Sequence, residues 1–165
     1  MNRAIVTYAA GAHEELLDVA LPTYRAFAER HGYEVVVGTK LTDLPPAWNK
    51  IPLLQYALQR YDEVVWFDCD LVVVDPSEDF PPLVDGKIHS MVRHFEDHSE
   101  VPNSGVWRVT RACVPLLELM LKLEVFTGHG WWEQAALLTL MGYTVPPEGS
   151  DFTKTETIIL RKYKA

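Results

Sequence analysis

The stretch Val64-Val65-Trp66-Phe67-Asp68-Cys69-Asp70-Leu71-Val72-Val73-Val74 decides the fold of this chain. It is a run of β-branched and aromatic residues, typical of a buried strand, that two carboxylates interrupt. Charged side chains are rarely buried without a partner or a metal ion, so we expect Asp68 and Asp70 to lie where the strand ends at a cleft. Residues i and i+2 of an extended segment share a face, which would point both carboxylates into the same space.

Two carboxylates on one face suit a divalent metal ion. Mg²⁺ and Mn²⁺ prefer hard oxygen ligands, particularly where substrate phosphates complete the shell. The alternative is a pair of solvated carboxylates at the junction of a strand and a turn. The apolar runs on both sides favour the metal site, because burying carboxylates without a cation is costly. Cys69 is expected on the opposite face as an inert, buried thiol.

Alternating strands and helices surround this stretch and predict an α/β domain with a mostly parallel sheet. Each strand–helix–strand unit predicts a right-handed crossover. Gly32 is the expected stop of the first helix, and Pro22 within that helix predicts a kink or two shorter helices. The predicted strands are 4–8, 33–37, 64–67, 87–95, 105–109 and, in the tail, 156–160. The predicted helices are 14–31, 48–61, 111–123 (beginning near Pro115) and 131–141, with Gly142 as a terminator.

The predicted topology points to the same cleft as the carboxylate pair. Ligands of open α/β sheets bind beyond the carboxyl ends of the strands. Tyr8 is the last residue of the first predicted strand, and Asp68 follows the strand 64–67. Both residues therefore fall at the edge where a ligand is expected.

Length and composition indicate one globular domain over residues 1–165. The chain is 48% hydrophobic and 23% charged, which allows a sizeable core. Its formal charge of −8 argues against nucleic acid as a partner. An acidic protein that handles a phosphorylated ligand needs a metal ion or placed cations. Two cysteines, no apolar run of membrane-spanning length and no signal-peptide pattern predict a cytoplasmic setting, with peripheral membrane association left open.

Four motifs stand in a characteristic order along the chain: Trp48-Asn49-Lys50-Ile51-Pro52, Trp66-Phe67-Asp68-Cys69-Asp70, Asn103-Ser104-Gly105 and Trp132-Glu133-Gln134-Ala135-Ala136-Leu137. Together they resemble GT-A-fold glycosyltransferases, chiefly the galactosyl/mannosyl transferase group (family 34), with some likeness to the glycogenin-like group (family 8). The resemblance covers residues 4–147, and the tail 148–165 diverges. It implies a compact GT-A domain with a Rossmann-like central sheet flanked by helices.

The resemblance also implies an activity. A hexose would pass from a nucleoside diphosphate sugar, with UDP-galactose or UDP-glucose as the expected donor, to a glycan or another hydroxyl acceptor. The implied stereochemistry is retention at the anomeric carbon. Asp68 and Asp70 would bind Mn²⁺ (or Mg²⁺), and this Lewis acid would stabilise the departing diphosphate. The oligomeric state is left open, with a homodimer as one option.

Three further donor-binding residues follow from the resemblance, each with a structural alternative. Thr7 and Tyr8 would receive the base and the ribose, since a hydroxyl can bond a base and an aromatic ring can stack on it. Alternatively, they pack against the first helix. Lys50 would approach the donor phosphates or hold the aspartate loop. Its alternative is a solvated lysine at the start of a helix.

The remaining two motifs supply the candidate sugar-binding and catalytic residues. Asn103-Ser104-Gly105 would approach the donor sugar, or simply form a turn. Glu133 would be a base or would stabilise an oxocarbenium-like centre, and Gln134 would stabilise that centre through its carbonyl. The alternative for Glu133 is a favourable place at the positive end of a helix dipole. Trp131 and Trp132 would form an apolar platform for a sugar, or act as core anchors.

The resemblance fails at the third metal ligand. Its members usually carry a histidine near the C-terminus, whereas no histidine follows His129 in this sequence. Another group such as Asp151, or water and the diphosphate, would then complete the metal shell. Otherwise the protein is a minimal or degenerate relative. His129 itself, between two glycines, is a flexible-loop candidate for the acceptor site.

Two other functions stay open at this point. A non-catalytic GT-A-like module that binds a nucleotide-sugar or glycan would account for the missing histidine. A nucleotidyltransferase would also use an acidic metal pair, but the segment 9–13 lacks the Lys or Arg of a basic phosphate loop. The histidines His89, His94 and His98 match no familiar metal-binding spacing.

Overall fold

The computed structural model describes residues 1–96 and 99–145. In this part of the chain, five strands form one sheet with helices on both faces. The strands are β1 (Arg3–Thr7), β2 (Glu34–Val37), β3 (Glu63–Phe67), β4 (His89–Glu96) and β5 (Ser99–Thr110). The α-helices are α1 (His13–His31), α2 (Lys50–Ala57), α3 (Val114–Leu121) and α4 (Trp132–Leu140). None of these helices is both long and apolar enough to cross a membrane.

The sheet has the order β2-β1-β3-β5-β4. β1 pairs in parallel with β2 and with β3, whereas β5 is antiparallel to both of its neighbours, β3 and β4. Four strands therefore run in one direction and β5 runs in the other. The predicted α/β fold with a mostly parallel sheet is confirmed.

Helix α1 is continuous through Pro22. The alternative of two shorter helices is therefore wrong. A proline removes one intrahelical hydrogen bond, but the helix is also held by a buried stripe packed on the sheet. Gly32 ends it with a φ of 73°, and its N–H donates to the carbonyl of Ala28, as expected of a glycine stop. The stripe consists of Leu17, Ala20, Tyr24, Phe27 and Ala28.

The later elements differ from the prediction mainly in their bounds. The predicted helix 48–61 begins as a 3₁₀ turn, Pro46–Asn49, and is α-helical only over α2. A second 3₁₀ turn, Arg111–Cys113, precedes α3, whose first turn contains Pro115 as expected. The predicted strand 87–95 is β4, and 105–109 is only the end of the longer β5. The predicted tail strand 156–160, Asp151 and His98 lie outside the described residues.

A bulge explains why β5 is longer than predicted. Met91 pairs with Trp107, but the next residue, Val92, pairs with Asn103, so 104–106 have no partner in β4. Of these three residues, Val106 pairs with Phe67 of β3. The turn alternative for Asn103-Ser104-Gly105 is therefore wrong. The polar and glycine residues that resemble a turn in sequence form an irregular strand instead.

Each face of the sheet has its own apolar core. On one face, α1 packs over a cluster that includes Ile5, Tyr24, Phe27, Val65 and Phe67. The other face is covered by α2, α3 and α4, with a cluster that includes Val6, Trp48, Ile51, Trp107 and Leu117. The loops that follow β1 and β3 emerge from between these layers, at the edge where a ligand is expected.

Candidate active site

A cavity of about 480 Å³ lies beyond the carboxyl ends of β1 and β3. Its size is within the range of small-molecule sites. All four motifs of the resemblance contribute to its lining. The predicted site residues that line it are Tyr8, Lys50, Asp68, Asp70, Asn103, Ser104, Glu133 and Gln134.

The carboxylate pair lies in a turn and not in a strand. β3 ends at Phe67, the N–H of Asp68 donates to the carbonyl of Gly105 at 2.8 Å, and the N–H of Leu71 donates back to the carbonyl of Asp68 at 3.3 Å. We expected Asp68 and Asp70 to share a face because residues i and i+2 of an extended segment do so. That reason is wrong, because the backbone of these residues is not extended. Both side chains nevertheless line the same cavity. A carboxylate pair thus faces the ligand edge, as predicted.

Cys69, between the aspartates, is half-buried and does not have the fully buried position expected of it. It packs at the margin of the core under α1 and also lines the cavity. Partial burial raises the pKa of its thiol, and the nearby carboxylates of Asp70 and Asp68 add to the effect. The raised pKa keeps the thiol protonated and unreactive near neutral pH, as predicted.

Helix α1 holds the aspartate turn from below. The hydroxyl of the buried Tyr24 lies 2.6 Å from the carbonyl oxygen of Asp68 and 2.7 Å from that of Leu71. The hydroxyl oxygen of Thr23 accepts from the N–H of Val73 at 3.1 Å. Burial raises the pKa of Tyr24, so its hydroxyl keeps the proton that it donates. The helical pattern indicated only a core position for Tyr24, and nothing in the sequence marks its hydroxyl.

A buried lysine joins the aspartate turn to α4. Lys50 is only 4% exposed, so the alternative of a solvated lysine is wrong. Its Nζ lies 2.6 Å from Oε1 of Glu133 and 3.1 Å from Oδ1 of Asp68. It also donates to the carbonyl oxygen of Ser104 at 3.2 Å and to Oγ of Ser104 at 3.1 Å. Burial alone lowers the pKa of Lys50, but the charges of Glu133 and Asp68 outweigh it and the pKa is raised.

The two candidate catalytic residues belong to the same network. Glu133 is buried, and its Oε1 accepts from Lys50 and from Oγ of Ser104, at 2.6 and 3.0 Å. Oε1 of Gln134 accepts from the N–H of Ser104 at 3.0 Å and lies 3.3 Å from its Oγ. Because the backbone N–H of Ser104 can only donate a hydrogen bond, the atom of the Gln134 amide that it contacts must be the oxygen. The carbonyl of Gln134 therefore holds β5 through Ser104, and its amide nitrogen has no acceptor in the described part of the chain.

The bulge in β5 brings Gly105 against the aspartate turn. A Cβ on Gly105 would lie 2.8 Å from Oδ1 of Asn103 and 3.0 Å from Oδ2 of Asp68. Only glycine permits this approach without a shift of the neighbours. Oδ1 of Asn103 accepts from the N–H of Gly105 at 2.8 Å, and the Asn103 amide nitrogen donates to no group among the described residues.

The end of β1 contributes Tyr8 to the cavity but not Thr7. Tyr8 is half-buried and lies in the cavity wall, where its ring is accessible to a planar ligand. Thr7 is completely buried and is not part of the wall. Its hydroxyl has no hydrogen-bond partner among the described residues. The structure thus separates two neighbours that sequence reasoning treated together.

The loop before α4 forms the mouth of the cavity. Trp132 has a φ of +44°, the one positive value among the described residues other than glycine, which costs about 1–3 kcal/mol. It is 49% exposed, so the core-anchor alternative is wrong for this residue. His129 is buried, not flexible, and its Nδ1 accepts from the N–H of Trp131 at 3.0 Å. His129 therefore supports the loop and does not line the cavity.

Sequence reasoning missed several residues of the cavity. Trp66 donates from Nε1 to Oδ1 of Asp68 at 2.6 Å. His13, at the start of α1, and the segment 45–47 also line the wall. The alternation of β3 places Trp66 on the same face as Val64, towards α2 and Lys50, and this signal was available in the sequence. No comparable signal marks His13 or the prolines.

The residues of the turn fit a divalent cation with two protein ligands. Across 1–96 and 99–145, no group of three or more His, Cys, Asp or Glu side chains could hold a metal ion. Oδ1 of Asp68 is occupied by Trp66 and Lys50. Oδ2 of Asp68 and the exposed carboxylate of Asp70 accept no hydrogen bond from the described part of the chain. One ammonium against three carboxylates leaves excess negative charge, which a cation would balance, with water or phosphate as further ligands.

Comparisons with known proteins bear on the fold. No protein-family model and no curated protein matches the chain. A glycosyltransferase involved in the glycosylation of the major capsid of PBCV-1 superposes with a TM-score of 0.64 at 15% identity, over 75% of this chain and 67% of that one. A mutant Drosophila β1,4-galactosyltransferase 7, in complex with manganese, UDP-Gal and xylobiose, superposes with a TM-score of 0.50 at 18% identity. This second match covers 68% of this chain and 50% of the galactosyltransferase chain.

These two likenesses confirm the resemblance at the level of the fold. Their sheets and helices superpose on this chain although the sequences share less than a fifth of their residues. At such identity the likeness concerns architecture and not activity. The chain has a glycosyltransferase fold of the GT-A type.

Proposed function

We propose that this protein is a glycosyltransferase that moves a hexose from a nucleoside diphosphate sugar to a hydroxyl acceptor. UDP-galactose or UDP-glucose is the proposed donor. The observation that carries the proposal is the Asp68–Asp70 turn at the cavity, joined by Lys50 to Ser104 and Glu133. A fold neighbour that binds manganese and UDP-Gal supports the choice of donor.

The donor diphosphate would lie at the aspartate turn. The carboxylate of Asp70 and Oδ2 of Asp68 would hold Mn²⁺ or Mg²⁺, which when bound neutralises the phosphates and acts as a Lewis acid toward the leaving group. Lys50 is committed to Asp68 and Glu133, so its function is to fix Asp68 in place. Trp66 fixes the same oxygen of Asp68 from the other side.

The rest of the donor would extend along the cavity wall. Tyr8 offers a ring on which the uracil base can stack. The side-chain oxygens of Asn103 and Gln134 accept hydrogen bonds from backbone N–H groups of β5. Their amide nitrogens would donate to sugar hydroxyls. Gly105 does not line the cavity, and its missing side chain instead makes room for the side chains of Asn103 and Asp68.

Glu133 would stabilise positive charge on the transferred sugar. Oε1 of Glu133 already accepts from Nζ of Lys50 at 2.6 Å and from Oγ of Ser104 at 3.0 Å, so this oxygen is not free to take a proton from a hydroxyl acceptor. Its negative charge is fixed in a buried position, where electrostatic interactions are strong. The Glu133 carboxylate would therefore stabilise an oxocarbenium-like centre by its charge, without a proton transfer.

The proposal is tested by calorimetric titration of UDP and GDP, with and without Mn²⁺. We expect UDP to bind more tightly in the presence of Mn²⁺, and Asp70→Asn to lose at least about tenfold in affinity, equivalent to 1.4 kcal/mol. Asp18→Asn, an exposed aspartate of α1 outside the cavity, is the matched control and should bind as the wild type does. If neither nucleotide binds at millimolar concentration, the donor site does not exist.

A second candidate is a non-catalytic module that binds a nucleotide-sugar or a glycan. It is favoured by one observation, the limitation of the metal ligands to two carboxylates in the described part of the chain. Mass-spectrometric detection of donor hydrolysis or transfer, lost in Asp70→Ala with the fold intact, would exclude the module. Tight UDP binding without turnover of any of several donors would instead exclude the enzyme.

A further inference from the structure

A second cavity, of about 280 Å³, lies beside the edge strand β4. Residues 89–93 of β4 form one part of its wall, and Pro102 of β5 with Met141 and Tyr143 at the end of α4 form another. We call it the β4 cavity. None of these residues lines the cavity of the candidate active site. Its volume is near the lower end of small-molecule sites, so it suits a small ligand.

The wall of the β4 cavity carries a cation and no carboxylate. In the part of the chain that the structure describes, the wall includes the guanidinium of Arg93 and no Asp or Glu. The chain has a formal charge of −8, and two aspartates and a glutamate line the cavity of the candidate active site. The guanidinium is already engaged in part within the protein, but its five N–H donors can serve more than one acceptor. The β4 cavity therefore favours an anion.

The neutral polar groups of the wall also favour a ligand that accepts hydrogen bonds. The fully buried Trp107 donates from Nε1 to Nδ1 of His89 at 3.3 Å. Because an indole N–H can only donate, Nδ1 of His89 is unprotonated and Nε2 carries the proton. Burial and the charge of Lys87 lower the pKa of His89, so the ring is neutral near pH 7. Neither Nε2 of His89 nor the hydroxyl of Tyr143 has a hydrogen-bond partner among the described residues.

The remaining wall of the β4 cavity is apolar. It consists of Met91, Val92, Pro102 and Met141. Methionine side chains are flexible and polarizable, and they make favourable contacts with aromatic rings. One guanidinium balances one negative charge, and its planar fork matches the two oxygens of a carboxylate. The wall thus matches a small molecule with one carboxylate and an apolar body.

We propose that the β4 cavity binds a small organic acid, with its carboxylate at Arg93 and the hydroxyl of Tyr143 and its apolar body against Met91 and Met141. The site goes beyond the proposed function and does not rest on it, because it shares no wall with the active-site cavity. It gives the protein a second ligand that is chemically unlike a nucleotide-sugar.

The experiment titrates benzoate into the ¹⁵N-labelled full chain and follows the amide signals by NMR. Benzamide has the same ring without the charge, and phenyl phosphate adds a second negative charge. The variants are Arg93→Met and Tyr143→Phe. Arg25→Met and Tyr56→Phe are the matched controls, since both residues are exposed and neither lines a cavity described above. UDP with Mn²⁺ is titrated into each protein by calorimetry.

We expect benzoate to bind the wild type in the millimolar range and to shift the amide signals of β4. Benzamide should bind at least about tenfold more weakly, because it lacks the charge that the guanidinium recognises. Benzoate affinity should fall about tenfold in Arg93→Met and about threefold in Tyr143→Phe, and stay at the wild-type value in both controls. UDP binding should be the same in all five proteins.

Four results would overturn the inference. They are the absence of shifts in β4 at tens of millimolar benzoate, equal binding of benzamide, undiminished benzoate affinity in Arg93→Met, and displacement of benzoate by UDP, which would locate it in the active-site cavity. Tighter binding of phenyl phosphate than of benzoate would overturn the choice of a carboxylate. Failure of UDP to bind the wild type would refute the proposed donor site alone, since benzoate is titrated without nucleotide.

Discussion

Strand β3 has a buried ion pair at each end, and the two pairs differ in their surroundings. At its start, Nη2 of Arg108 lies 2.6 Å from Oε2 of Glu63, and both side chains are buried. Beyond its carboxyl end, Nζ of Lys50 lies 2.6 Å from Oε1 of Glu133. The two ion pairs have the same N···O distance, and the side chains of both pairs are buried. The difference is that Lys50 has additional acceptors in Asp68 and Ser104 and borders a cavity.

The pair at the start of β3 has a closed environment. Nη1 of Arg108 donates to the carbonyl of Pro81, while Oε1 of Glu63 and Nε of Arg108 have no partner among the described residues. Unpartnered buried polar atoms are costly, and neither Glu63 nor Arg108 lines the cavity. A buried ion pair is therefore not by itself a sign of function. Its place at the carboxyl edge of a parallel sheet, against a cavity, makes the Lys50 pair a candidate site.

Replacing the basic side chain of the ion pair at either end of β3 should have the largest effect on the free energy of unfolding. We expect Lys50→Met and Arg108→Met each to lower the free energy of unfolding by about 3–5 kcal/mol, because each leaves a buried carboxylate without its partner. Only Lys50→Met should also weaken the binding of UDP with Mn²⁺, since Lys50, unlike Arg108, contacts Asp68. Urea unfolding and calorimetric titration measure the two quantities. Equal losses of UDP affinity in both variants would contradict the distinction between the two ends.

Adding one methyl group beside Asp68 should have the next largest effect. Gly105→Ala places a Cβ 2.8 Å from Oδ1 of Asn103 and 3.0 Å from Oδ2 of Asp68, so we expect a loss of about 1–3 kcal/mol of stability from overpacking. The displaced carboxylate should also weaken Mn²⁺-dependent UDP binding. Gly38→Ala is the control, since a Cβ there meets side-chain atoms of Leu53 outside the cavity wall. If Gly38→Ala weakens UDP binding to the same extent, the effect is general and not local.

The sequence predicted the fold well because its signals are local. Short runs of apolar and β-branched residues identified β1 and β3, the helical spacing of apolar residues identified α1, and Gly32 marked the end of α1. The bulge in β5 could not be predicted, because it depends on how β4 pairs with it across the sheet. A Pro-Asn-Ser-Gly segment has the composition of a turn, and only tertiary pairing made it a strand.

The site was predicted less completely, for a related reason. The motifs named the residues that meet at the cavity, including Lys50, Asp68 and Glu133. They did not show that Lys50 and Glu133 form a buried pair, because this contact joins α2 to α4 across the chain. The resemblance also implied that Thr7 contacts the donor base, whereas its side chain is fully buried and does not line the cavity. Contacts between distant elements are what a single sequence leaves undetermined.

The smallest expected effect on stability comes from removing the hydroxyl of either of two tyrosines in the same apolar core. Tyr24 and Tyr33 both belong to the cluster beneath α1. The hydroxyl of Tyr33 bonds Arg3 and Asp79, on the far side from the cavity, whereas that of Tyr24 bonds the aspartate turn. Replacing either by phenylalanine removes one hydroxyl and little volume. We expect each change to cost about 1 kcal/mol of unfolding free energy.

The two variants should differ in ligand binding. Without the Tyr24 hydroxyl, the carbonyls of Asp68 and Leu71 lose their shared donor, and the turn that positions Asp70 becomes less rigid. Tyr24→Phe should therefore need more Mn²⁺ to reach half-maximal UDP binding, while Tyr33→Phe keeps the wild-type requirement. Titrating Mn²⁺ at fixed UDP measures this. Because both variants lose similar stability, a shift in only one of them cannot come from general loosening of the core, and it would identify α1 as the support of the metal-binding turn.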